Sequence, residues 1–216
     1  MAAEPPSAKR SDARINREEL LDVAGDLIAE RGVEVPLYLV AKGAGVGPAT
    51  LYRHFPDRHA LLCALAWRSA QMFSAVGMAA AAAESGWDKI TTFLDGVLAL
   101  HLRSPWLSPV ADYARAHPPE GWVTGKWDAA LLAVVQQAKD EGSLRLDVEV
   151  TDVVFLPILL AKLVSYPEPL RGTVIARHRA LMLDSLRPQG APRPELGAEA
   201  LSAEVLKAVT EPRARR

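Results

Sequence analysis

The chain has 216 residues, half of them hydrophobic, with 25 lysines and arginines against 26 aspartates and glutamates and a formal net charge of −1. That length builds one or two cores of ordinary domain size. The near-neutral balance excludes nucleic-acid affinity driven by bulk charge, so any DNA contact has to come from a local patch.

The one cysteine, Cys63, excludes an intramolecular disulfide and fits a reducing cytosol. In the apolar run ALLCALAW it reads as a small buried hydrophobe. The N-terminal residues contain no signal-like apolar run, and no segment approaches the roughly 20 apolar residues of a spanning helix. The closest, Val153 to Val164, is interrupted by Pro157 and Lys162. A cytoplasmic protein with no membrane partner is expected.

Residues 1–16 carry Pro5, Pro6, Lys9, Arg10 and Arg14 and predict a mobile basic arm. Two uses stay open for it: lying along a phosphate backbone, or simply being solvated. From Arg17 the period is helical, with Leu20, Leu21, Ala24, Leu27 and Ile28 inward and Glu18, Asp22, Asp26 and Glu30 outward. Gly32 stops that helix. Pro36 opens a short second helix whose inward contacts are Val40 and Ala41, and Gly45 marks a turn.

A third helix starts near Gly47 or Pro48. At about 100° per residue Leu51 and Phe55 share the core face, Ala49 and Arg53 a second face, Thr50 and His54 a third. Tyr52 admits two readings, padding for the core or a groove-side group. So polar an exposed half on so short a helix implies a polar partner. Pro56 and Asp57 then end this helix and cap a long apolar one from His59 through the alanines near residue 83, shared between two cores. Beyond Gly86 helices are predicted at Trp87 to Leu102, Trp106 to Ala116, Val123 to Glu141, Val150 to Ser165 and Thr173 to Leu186, divided by Gly and Pro.

The segment VAKGAGVGPATLYRHFPDRHALL closely resembles the helix-turn-helix signature of TetR-family transcriptional regulators. The resemblance rests on Ala44-Gly45-Val46, on Thr50-Leu51-Tyr52, on His54-Phe55, and on Arg58 followed by Ala60-Leu61-Leu62. It covers about the first quarter of the chain. Pro36, Leu39 and Gly47 depart from the usual pattern; Gly47 stands where a Ser often caps the recognition helix.

The resemblance implies an all-α fold, with a three-helix DNA-binding domain at 17–62 joined by a shared helix to a ligand-binding and dimerisation bundle at 63–187. The arm at 1–16 precedes these and a Pro/Ala/Arg-rich tail at 188–216 follows. It assigns Thr50, Tyr52, His54 and Arg58 mainly to phosphates, Pro48, Ala49 and Arg53 to the major-groove floor beside Gly47, and Tyr38 to a further backbone contact. The chemistry agrees: hydroxyl, phenol and imidazole suit phosphate oxygens, and Arg53 alone there can grip guanine in two places.

The resemblance also implies a homodimer through the last two long helices, binding double-stranded operator DNA. Of the control expected, a repressor released by a small apolar or aromatic effector comes first and an activator of the same fold second. His101, Trp106, Tyr113, Trp127 and Phe155 are the candidate ligand residues, with Asp112 and Arg115 as further polar partners. No phosphate loop, metal-ligand spacing or nucleophile motif is present, so neither enzyme, cofactor nor metal is expected. A helical protein-interaction module is the remaining rival, and it leaves the Thr50 to Arg58 set unexplained.

Overall fold

The computed structural model describes residues 6–122, 128–165, 170–188 and 190, and it is helical throughout, with no strand among the described residues. The chain forms two compact units: Met1–Phe73 with Arg103–Trp122, and Ser74–Leu102 with Val123–Arg216.

The first unit begins with α1, Pro6–Arg31. Helix thus occupies residues 6–16, where the sequence suggested an irregular arm. Pro6 at the first helical position, followed by Ala, Lys and Arg, good helix formers, accounts for the difference. Leu20, Leu21, Ala24 and Ile28 of α1 are buried, as their spacing predicts. Gly32 ends the helix at φ 82°. Pro36 is the N-cap of α2, Leu37–Gly43, which buries Val40 and Ala41. Gly45, at φ 65°, makes the turn into α3, Pro48–His54.

Leu51 and Phe55 are buried with Leu61, Leu62 and Leu65 of α4, Arg58–Ala81. The guanidinium of Arg17 lies 5.0 Å over the Phe55 ring, closing one side of this core with a cation–π contact. Asp57 caps α4 by accepting from the Ala60 N–H at 2.7 Å.

The first unit also includes α6, Leu107–Ala116, which a single cut after residue 62 would have assigned elsewhere. The reason is Trp106, buried against α1. A Cβ on Gly25 would stand 2.8 Å from its Cδ1, so only glycine lets the indole lie flat on that helix. The long helix α4 belongs to the first unit up to Phe73 and to the second from Ser74.

In the second unit α5, Gly86–Arg103, is strongly amphipathic, burying Ile90, Phe93, Leu94, Val97 and Leu98. It is followed by α7, Asp128–Asp140, α8, Val150–Ala161, and α9, Leu170–Leu186. Ile90, Val135, Ala138, Leu144, Val153 and Leu186 form one core cluster, and Leu94, Leu98, Leu160 and Ile175 another. Asp152 caps the start of α8 by accepting from the Glu149 N–H at 2.9 Å. Pro157 within α8 removes a backbone donor, and the helix tightens to a 3₁₀ turn at Lys162–Ser165. The N-terminal part of the predicted Val123 helix, residues 123–127, and nearly all of the 188–216 tail lie outside the described residues.

Candidate functional site

The helix-turn-helix is α2, the Gly45 turn and α3, held from below by Val40, Ala41, Leu51 and Phe55. With those side chains spent on the core, the opposite half of α3 is free. Tyr52 is 53 % exposed and Tyr38 on α2 is 64 % exposed. The first reading of Tyr52, core padding, does not hold: Leu51 and Phe55 fill that place, and the phenol stands in solvent. Gly47, Pro48, Ala49 and Arg53 are exposed, and Thr50 and His54 half-buried, so these residues share one short helix and its N-cap. Gly47 offers no side-chain cap, and Pro48 at the first helical position needs none for its missing N–H. Lys42, exposed on α2, adds a cation to this surface that the motif did not single out.

Arg58 has a different neighbour from the others. Its Nη1 pairs with the Glu34 carboxylate, and its Nη2 donates to the Glu34 carbonyl oxygen at 3.1 Å. The guanidinium therefore ties the α1–α2 loop to the first turn of α4. Glu34 was missed because an acidic residue 24 positions away carries no sequence signal for this pairing.

Of the five candidate ligand residues, Trp106 and Tyr113 lie in the first unit and His101 and Phe155 in the second. Tyr113 packs on α4, its hydroxyl 3.0 Å from Nδ1 of His59, and stacks on His117. Trp106 is the α1 contact described above, and Asp112 and Arg115 pair with each other on α6. Phe155, on α8, is 58 % exposed. His101 is buried with its Nδ1–H donating to the Val97 carbonyl at 3.0 Å. Trp127 lies outside the described residues.

The second unit does hold a cavity of about 360 Å³, between the C-terminal part of α4, α5, α7 and Val153 of α8. Its wall includes Gly77, Ala80, Ala81, Phe93, Val134 and Lys89, and none of the four candidates that are described. Aromatic residues drew the sequence-based choice, whereas the space exists because the small side chains of α4 leave room that Phe93 does not fill. The run AVGMAAAAA was the available signal.

Cys63 is half-buried, with its Sγ 3.4 Å from Nε2 of His59. Burial pushes its thiol above the ordinary value, and the negative charge of Asp57 adds to the effect. Little thiolate is thus present at neutral pH. Iodoacetamide should modify Cys63 several-fold more slowly than it modifies glutathione at neutral pH, with the rate climbing as pH rises past the usual thiol range. Modification as fast as glutathione would contradict this environment.

These features define an all-helical protein with an exposed helix-turn-helix and a separate helical unit containing an apolar cavity. Residues 20–65 match the family model described as bacterial regulatory proteins, tetR family. A transcriptional regulator of the helix-turn-helix type from Staphylococcus aureus strain USA300 is 38 % identical over 65 residues, 30 % of this chain. The match spans about a third of that relative's own length, 35 %. Among solved structures, a TetR transcription regulatory protein from Mycobacterium vanbaalenii is 26 % identical with a TM-score of 0.56, covering 83 % of this chain and 99 % of that one. A gamma-butyrolactone receptor, an ArpA-like protein, shares the fold at a TM-score of 0.64 and 20 % identity, covering 83 % and 92 % of the two chains. Residues 20–65 thus match that family's model, and the chain as a whole shares its fold with solved TetR-type regulators.

Proposed function

We propose that this protein is a cytoplasmic transcriptional regulator that binds operator DNA as a homodimer, most simply as a repressor released by a small, largely apolar effector. The observation that carries the DNA-binding part is the exposed set Tyr38, Tyr52 and Arg53 on two short helices whose opposite sides are buried. A surface that polar, presented on a helix of seven residues, is economical only if it meets a polar partner.

One such helix reads a few base pairs, so useful specificity needs two half-sites and hence two copies. The support for a dimer lies on α8, where Phe155, Ile158 and Leu159 are exposed, and on α9, where Leu181 is exposed. An apolar patch of this kind on a second unit marks an interaction surface. The cavity supports an effector, and the gamma-butyrolactone receptor is one structural neighbour whose name states a small-molecule ligand. An effector acts only by binding the DNA-competent and DNA-incompetent states unequally, so operator DNA should weaken effector binding in return.

The test is a salt series on DNA from the regions flanking the gene. Lys42, one phosphate-facing cation per protomer and two per dimer, gives an expected slope of log affinity against log salt of about −2. Binding without salt dependence, or a chain that stays monomeric at micromolar concentration in analytical ultracentrifugation, would overturn the reading.

A further inference from the structure

Among the described residues, the wall of the second unit's cavity has one charged residue, Lys89 of α5, among alanines, valines, leucine, isoleucine and Phe93. Lys89 is half-buried, and its Nζ donates to Oε1 of Gln137 at 2.8 Å. That amide is fixed in orientation. Its Nε2 gives one hydrogen to Oε1 of Glu141 at 2.6 Å and the other towards the Glu84 carbonyl oxygen at 3.2 Å, which leaves Oε1 as the end turned to the lysine. The carboxylate of Glu141 is itself committed, its Oε2 accepting from the Gly86 N–H at 2.8 Å.

The result is an ammonium held in place by a neutral acceptor, with no carboxylate paired to it among the described residues. Three donors sit on Nζ and the amide takes one. A half-buried cation without a counterion favours an anionic ligand oxygen, because a charge-assisted hydrogen bond replaces both lost water and the missing counterion.

We infer that the cavity takes an amphiphilic monoanion, an apolar body ending in a carboxylate, and that Lys89 is the residue that reads the charge. The inference rests on the reading of this cavity as the effector site. At about 360 Å³ the cavity has room for a ligand of at least about ten non-hydrogen atoms, since a single water needs only about 10 to 15 Å³ of such volume. Decanoate has that size. Ser74, the other polar residue of the wall among the described residues, is exposed and neutral and does not select for charge.

The experiment measures binding of two probes of the same size to the full-length chain by calorimetry: decanoate, and the uncharged γ-decalactone. Three variants accompany the parent. Lys89→Met removes the charge and keeps the helix-forming stem, Lys89→Arg restores a cation, and Gly77→Leu fills the cavity. A Cβ on Gly77 meets nothing within 4 Å, so the added side chain enters open space without breaking α4.

Expected is a preference for decanoate of about tenfold, the scale of one charge-assisted hydrogen bond. Lys89→Met should abolish the preference without weakening the lactone, Lys89→Arg should keep most of it, and Gly77→Leu should weaken both probes. Equal binding of the two probes by the parent, both blocked by Gly77→Leu, leaves the effector site standing and overturns the charge inference. So does a preference that survives Lys89→Met. Failure of both probes to bind the parent, or binding that Gly77→Leu leaves untouched, sinks the cavity as effector site and the inference with it.

Discussion

Replacing Trp106 with alanine is expected to cost the first unit about 3 to 5 kcal/mol, the range for truncating a buried aromatic side chain. The indole is buried at the entrance to α6 and lies flat against α1 where Gly25 leaves room for it. Nothing smaller spans that distance, so alanine leaves a void between the two helices. Had Trp106 been a ligand contact, the same change would have cost ligand affinity and little stability. The check is thermal unfolding together with hydrogen exchange: α1 and α6 should lose protection while α7 and α8 keep theirs. Trp106→Phe, retaining part of the contact, should fall between. Unchanged exchange in α1 would remove the assignment of this side chain to the first unit.

The second large effect concerns DNA. A chain carrying Tyr52→Ala and Arg53→Ala should stay folded, because both side chains are exposed and the core beneath them is made by Leu51 and Phe55. Its operator affinity should nevertheless drop by about 2 to 4 kcal/mol, roughly thirty- to a thousandfold, combining a lost bidentate base contact with a lost phosphate contact. The two single variants should differ in kind. Arg53→Ala should relax the preference at one base pair of each half-site, whereas Tyr52→Ala should weaken all sequences about equally. Gel shifts against the operator and against a single-base variant of it separate these outcomes. A double variant that is folded and binds operator like the parent would show that α3 is not the recognition helix.

Much of the first unit was legible in the sequence because its signals are local. The steps between Leu20, Leu21, Ala24 and Ile28, the glycines at 32 and 45, Asp57 as a cap, and the pairing of Leu51 with Phe55 each depend on residues within one or two turns of each other. The same locality explains the errors. An arm was expected at residues 1–16 because two prolines and a basic cluster look irregular, yet Pro6 at the first helical position is compatible with a helix that runs on through Lys9, Arg10 and Arg14. The pairing of Arg58 with Glu34 was not legible for the same reason, because Glu34 sits on a loop that only folding brings near.

The ligand residues were harder for a different reason. A cavity is space that no side chain fills, and it is signalled by small residues on one helix facing ordinary ones on others, which a single sequence does not align. Choosing the aromatic rings of the middle helices selected residues that pack: Trp106 on α1 and Tyr113 on His59.

By itself the sequence determined the all-helical class, the position of nearly every described helix, and the exposed face of α3, because hydrophobic period, caps and turn glycines act over a few residues. Only the tertiary structure decided that α6 belongs with the first unit, that Arg58 pairs with Glu34, and that Lys89 stands on the wall of an apolar cavity with an amide as its partner. Those depend on residues 24 to 81 positions apart, from Glu34 and Arg58 to Gly25 and Trp106, and their meeting is fixed by how whole helices pack.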